Sequence, residues 1–297
     1  MALLVSRNEG MHSELSVLKG KSFVPRATDV FIVTYPKCGT TWVSAIAQYL
    51  RSSKNDFEEI TEVVPWDTVA HDCGQDLNDE QVAEPRLFKS HYSWPEIAKG
   101  GKYVYVIRHP SDAFVSFYNF LPAYMHVEGL SIETFAEAIF AGLSKSGGIW
   151  KHYLDWFEAA QKYPENILIL AFEDLKRDLK TEISRLQQFM NSPFDISVDD
   201  VYAKTTFDAM AANKKQFDDH FVFDRLRHQI GIPENQAHRA TKVHKGTIGS
   251  RSAIPDSVND LLEAQWNNII GPSLNCKTYD DLLHIVHILH TKYHPSP

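Results

Sequence analysis

The chain has 297 residues, 43% apolar and 23% charged, which gives it a real hydrophobic core and excludes disordered and fibrous classes. Its formal net charge of −8 excludes a general nucleic-acid binder, while still allowing an anionic ligand held by a local cluster of Lys, Arg and backbone N–H groups. Cys38, Cys73 and Cys276 lack any CxxC spacing and fit reduced thiols, the N-terminal MALLVSRNEGMHSEL lacks the apolar centre of a signal peptide, and no apolar run nears the ~20 residues of a membrane span, so a soluble, cytoplasmic protein is expected.

Stretches rich in β-branched and aromatic residues predict strands at Val30–Tyr35, Arg86–Ser90, Tyr103–Ile107 and Ile167–Phe172. Helical patterns lie at about Thr41–Leu50, Asp112–Tyr124, Trp150–Tyr163 and Leu179–Met190. The alternation predicts an α/β fold: a single domain over 1–297, with a mostly parallel central sheet flanked by helices and an ordered core over about 23–290. In such folds ligands sit at the carboxyl ends of the strands. From Asp195 onward the pattern weakens. The polar stretch 217–244, with Gly231 and Pro233, predicts a long loop or lid.

The first predicted strand runs directly into Thr34-Tyr35-Pro36-Lys37-Cys38-Gly39-Thr40-Thr41-Trp42 and then a helix. A strand, a Gly-containing turn and a helix N-terminus make a P-loop-like anion site, because backbone N–H groups and the helix dipole favour negative charge there. Lys37 adds a full charge, and Thr40 and Thr41 add hydroxyl donors. Lys37 precedes the glycine, so this is not the order found in P-loop NTPases.

TYPKCGTTW resembles the TYPKSGTTW loop of the cytosolic sulfotransferases that use phosphoadenosine phosphosulfate (PAPS), and the likeness extends roughly from Phe23 to Gly249. The resemblance implies that this loop (Lys37, Cys38, Gly39, Thr40, Thr41, Trp42) holds the 5′-phosphate and the reacting sulfate, with Lys37 on the leaving group. Cys38 stands where Ser is usual. Phe88-Lys89-Ser90-His91 is similar to the family's K-T-H segment, which implies His91 as general base. An alcohol is a weak nucleophile until its proton is removed, and imidazole titrates near the working pH. Lys89 would then offset charge on the sulfuryl oxygens.

After the third strand, Arg108 and Ser116 match the family's 3′-phosphate site, a task suited to the guanidinium fork. Thr205-Thr206-Phe207 resembles T-S-F, which implies adenine contacts from Thr205 and Phe207, and Phe172 stands where Tyr is common. His244-Lys245-Gly246 resembles an R-K-G segment of the cofactor site, with His244 replacing Arg and, further on, Arg251 replacing Trp. The implied cofactor is PAPS, with PAP as product and no metal. The family's dimer motif is not recognisable in Ser252–Glu263, which leaves the oligomeric state open.

For the acceptor, Trp66, Phe117 and Phe120 offer aromatic faces, and His71, Asp218 and Asp219 lie in flanking segments. Carboxylates beside aromatic rings predict a polar or cationic alcohol or amine. No nucleic-acid or membrane partner is expected. His284, His287, His290 and His294 share a broad face of a terminal helix, for which a partly exposed helix is preferred to a metal site. Two other readings stay open. A nucleotide-dependent phosphotransferase would use Glu173-Asp174 to hold Mg²⁺, and a non-catalytic nucleotide binder would have little reason to keep Lys37, Lys89 and His91 together.

Overall fold

The computed structural model describes residues 1–52, 57–143, 148–192, 196–240, 242 and 254–295. Among them, β1 (Val30–Thr34), β2 (Leu87–Ser90), β3 (Lys102–Ile107) and β4 (Ile167–Ala171) form a parallel sheet in the order β2-β1-β3-β4. The strands read as continuous apolar runs because both faces of the sheet are covered. On one face, Phe31, Val33, Tyr103, Tyr105 and Ile169 pack with Tyr153 and Trp156 of the Ile149–Lys162 helix. On the other, Ile32, Leu87, Val104 and Leu170 meet Val43, Ile46 and Leu50 of the Thr40–Arg51 helix, together with Ile183 and Leu186 of Leu179–Met190. Tyr105 and Trp156 stack with ring centroids 4.9 Å apart.

The chain goes from β1 to β2 on one side, then crosses to β3 on the other side of β1. This change of direction opens a crevice beyond the carboxyl end of β1. The register pairs Thr34 with Val106 and Ile107 with Ala171, so the strand ends are nearly flush. At the opposite end of the sheet, Arg86 forks onto Asp29 through Nε–Oδ1 (2.9 Å) and Nη2–Oδ2 (2.6 Å), both residues being buried.

The four predicted strands and helices are present, with ends shifted by a few residues. β4 stops at Ala171, and Phe172 instead opens the short helix Phe172–Arg177. The 217–244 stretch is not simply a loop: it contains the His220–Leu226 helix, whose Phe221, Val222, Phe223 and Leu226 are buried. The polar residues interspersed among these apolar ones hide the pattern. Residues 241, 243 and 244 lie outside the described set.

The terminal Tyr279–Tyr293 helix explains three of the four histidines. His290 Nε2 donates to the Ile169 carbonyl (2.5 Å), His294 Nε2 to the Pro164 carbonyl (2.8 Å), and His287 Nε2 meets Asp174 Oδ2 (2.8 Å). β4 is an edge strand, so its outward carbonyls need such partners. No helix among the described residues is long and apolar enough to cross a membrane.

Candidate active site

Every strand delivers a predicted site residue at its carboxyl end: Lys37 after β1, His91 after β2, Arg108 after β3 and Phe172 after β4. The turn from β1 into the Thr40–Arg51 helix uses left-handed backbone at Lys37 (φ 72°) and Gly39 (φ 110°). Gly39 is the helix N-cap and, having no side chain, makes no cap bond of its own. The first-turn N–H groups, which have no partner within a helix, therefore lie at the mouth of the loop. A Cβ on Gly39 would come within 3.1 Å of the Phe172 ring.

Cys38 turns its side chain inward. Its thiol points into the core, 3.6 Å from the Tyr153 hydroxyl, and burial pushes it up to about 12, so it stays neutral. It offers a ligand no side-chain group, so the replacement of the usual Ser carries little weight. Thr40 is also buried, its hydroxyl 2.6 Å from that of Thr34. The Trp42 indole donates to the Thr205 carbonyl (2.8 Å) and meets Phe172 edge-on at 5.4 Å. The Thr205 hydroxyl donates to Val201 (2.8 Å), so Thr205 anchors Trp42 rather than presenting a free hydroxyl. Phe207 opens its own short helix, Phe207–Ala212.

Arg108 lies over the Phe172 ring (4.4 Å) and donates through Nη1 to the Lys37 carbonyl (3.0 Å). Its backbone is clamped by Tyr153, whose hydroxyl accepts from Arg108 N–H (2.9 Å) and donates to the Arg108 carbonyl (2.5 Å). Ser116 sits partly exposed on the second turn of the Pro110–Tyr124 helix. His244, Lys245 and Gly246 lie outside the described residues.

His91 donates from Nδ1 to the Thr34 carbonyl at 2.8 Å. A carbonyl can only accept, so the proton sits on Nδ1 and Nε2 keeps its lone pair. Desolvation, then repulsion from Lys89, holds the imidazole well below its usual range, which leaves it neutral and ready to take a proton. Its backbone carbonyl is held by His152 Nε2 (3.2 Å), and His152 Nδ1 in turn accepts from the Tyr105 hydroxyl (2.8 Å). His152, lying inside a helix, gave no sequence signal for this supporting role.

The Lys37 ammonium lies 3.7 Å from the centroid of the Phe120 ring, and that of Lys89 lies 3.9 Å from Trp66, which also meets His91 edge-on at 5.2 Å. Trp66 and Phe120 are thus brought to the lysines, whereas Phe117 is buried against Tyr35 and Phe135. Desolvation, then repulsion from Lys242, pushes Lys37 down to about 7 against the pull of Asp219, with Arg108 and Lys89 lowering it further. Desolvation and Lys242 likewise lower Lys89 to about 8. A group of mutually repelling, desolvated cations around uncapped helix amides is chemically suited to a polyanion.

Three residues considered for the acceptor already have protein partners. Asp219 pairs with Lys242 and Lys89, Asp218 accepts from His220 Nδ1 (2.7 Å), and His71 Nδ1 faces Lys19 Nζ at 3.1 Å. Asp219 thus meets two cations of the protein itself, while Asp218 and His71 each meet a neighbouring side chain. Lys242 and Glu59 belong to the same charged group and were not anticipated, since neither falls in a recognisable motif.

Known proteins similar to this chain include several sulfotransferases. The chain is 32% identical to an amine sulfotransferase of Oryctolagus cuniculus over 76% of this chain and 75% of the relative. It is 32% identical to a flavonol 3-sulfotransferase of Flaveria bidentis (60% and 61%) and 30% identical to cytosolic sulfotransferase 8 of Arabidopsis thaliana (59% and 57%). The aligned region thus spans about three-fifths of the plant relatives' length. In fold, it is similar to a retinol dehydratase crystallised with androsterone and PAP, with a TM-score of 0.68 at 17% identity, covering 86% of this chain and 85% of that one. A mouse sulfotransferase complexed with PAP gives a TM-score of 0.62 at 18% identity, covering 87% and 90%. Residues 27–244 match the family described as the sulfotransferase domain, and by that match the chain belongs to the sulfotransferase family.

Proposed function

We propose that this chain, acting as one domain, transfers a sulfuryl group from PAPS to a hydroxyl or amine of a small polar acceptor, with His91 as general base. The observation that carries the reading is the 2.8 Å bond from His91 Nδ1 to the Thr34 carbonyl. It joins a base in its active tautomer to the strand that leads into the cationic phosphate loop. When bound, PAPS supplies an activated sulfuryl group on a phosphate leaving group.

In this reading the first-turn amides at Gly39–Trp42 and Lys37 hold the 5′-phosphate, and Arg108 with Ser116 binds the 3′-phosphate. His244, Lys245 and Gly246 are proposed to complete the cofactor site. Trp42, Phe172, Thr205 and Phe207 form the adenine side, Thr205 acting through Trp42. His91 Nε2 takes the acceptor's proton, and the Thr34 carbonyl steadies the resulting imidazolium. Lys37 meets charge growing on the leaving oxygen, and Lys89 meets charge on the sulfuryl oxygens. Trp66 and Phe120 give the acceptor aromatic faces beside the two lysines. Relatives named for amines and for a flavonol support both nitrogen and oxygen acceptors. Relatives named cytosolic support a cytoplasmic location.

Incubation with labelled PAPS and a panel of phenols, alcohols and amines, in the presence of a chelator, should label at least one of them. An absence of transfer together with no binding of PAP would reject the reading. Nucleotide binding should also take up protons. Lys37 is largely neutral above pH 7, and a phosphate against it restores its charge. Calorimetry at pH 8 in buffers of different ionisation enthalpy should report an uptake of about one proton. Zero uptake would remove Lys37 from the phosphate site.

Gly39→Ala is expected to weaken PAP binding by roughly tenfold or more, an effect of about 1.4 kcal/mol, from backbone strain and the clash with Phe172. Equal affinity by calorimetry would show that the loop tolerates a Cβ.

A further inference from the structure

We propose that Asp219 is a positioning residue for the transfer reaction, its carboxylate holding Lys89 in place through a Lys89–Asp219–Lys242 ion triad. What Lys89 does once positioned rests on the sulfotransferase reading above. Asp219 stands at the N-cap of the His220–Leu226 helix, where an Asp ordinarily accepts from the helix's own first-turn amides. Here its side chain makes no such bond. It is also left-handed (φ 79°), a conformation unfavourable for a residue with a Cβ.

Both local preferences are overridden. The carboxylate, only 3% exposed, turns to Lys242 Nζ and lies 3.8 Å from Lys89 Nζ. Such conflicts between local rule and tertiary structure concentrate at functional positions. Lys89, itself buried, is thereby fixed between a carboxylate and the Trp66 ring, one residue from Ser90 and two from His91.

Other charges around the triad act in known directions. Lys37 of the phosphate loop repels the lysines, while Glu59, before the Ile60–Val63 helix, attracts Lys89. Tyr124, Cys73, His238 and Asp67 face the triad from the Pro110–Tyr124 helix and neighbouring segments. Burial alone would raise Asp219, but Lys242 and Lys89 outweigh it and hold it at about 2, so it is anionic throughout the working range. Removing that charge leaves the lysines facing one another across a desolvated site.

Asp219→Asn keeps the shape and tolerates left-handed backbone. It should move the alkaline limb of the kcat/KM profile down by about one pH unit or more, because Asp219 supports the charge of both Lys89 and Lys37, and both then lose their protons earlier. Binding of PAP at pH 6, measured by calorimetry, should be unchanged or tighter, since the site has lost a negative charge. In Asp219→Asn/Lys242→Met the limb should move back toward its original position, as one repelling cation is gone.

A limb unmoved in the single variant, or a double variant no closer to the native profile, would overturn the proposal, as would a loss of PAP binding at pH 6. If Asp219→Asn does not fold, Lys242→Met alone should raise the limb, and an unmoved limb again rejects the triad. The test also works without turnover. If the native chain binds PAP but labels no acceptor of the panel, the pH at which PAP affinity falls should still be lower in Asp219→Asn than in the native protein. Superimposable binding curves would reject the triad on their own.

Discussion

His91→Ala is expected to lower kcat by roughly 10²–10⁴, the usual loss when a general base is removed, while leaving PAP affinity close to native. The two readouts separate because the imidazole serves the acceptor's proton, whereas the cations and amides that would hold the nucleotide belong to the phosphate loop and to Arg108. The bond from Nδ1 to the Thr34 carbonyl sets the tautomer, so the lone pair lost in the variant is the one on Nε2. The pH profile gives an independent check. Desolvation and Lys89 keep the imidazole below its usual range, so the acidic limb of the native enzyme should lie below pH 6.5. Activity falls there as Nε2 becomes protonated and can no longer accept. An acidic midpoint at or above 6.5, or a variant retaining most of its turnover, would remove His91 from the base role.

Asp29→Ala should destabilise the fold by about 3–5 kcal/mol, the range for breaking a buried ion pair from one side. The loss exceeds that of a surface pair because Arg86 would keep its charge inside the protein without the carboxylate. The Leu77 and Asn78 carbonyls, 3.1 and 3.2 Å from Nη1, would be left to satisfy it. Urea unfolding should register this as a lower midpoint with a similar slope. Asp29→Ala/Arg86→Met should recover part of the loss, since an apolar pair no longer buries an unpaired charge. A single variant within about 1 kcal/mol of the native protein would contradict the argument. Function is tied to the same pair. Asp29 immediately precedes β1 and Arg86 immediately precedes β2, so the fork pins the starts of the two strands whose ends lead to Lys37 and His91.

Much of this architecture could be read from residue order. Apolar runs such as Val30–Thr34 and Ile167–Ala171 stand out because strands buried on both faces need no polar alternation, and the helices between them keep their periodicity. Lys37, His91 and Arg108 were legible as neighbours for a related reason: each lies within three residues of the end of its strand, and parallel pairing brings strand ends together without further information. Tertiary structure alone decided how the side chains are used. The Cys38 thiol faces Tyr153 rather than a ligand, the Thr205 hydroxyl turns back on its own helix, and the terminal histidines serve the open carbonyls of an edge strand. The His220–Leu226 helix escaped detection because its buried residues sit between charged ones in a short segment. Asp219, Lys89 and Lys242 come from distant parts of the chain, and an ion triad between distant segments leaves no periodicity or spacing in the sequence. Its partners are selected by burial, where an unpaired charge is too costly to leave alone.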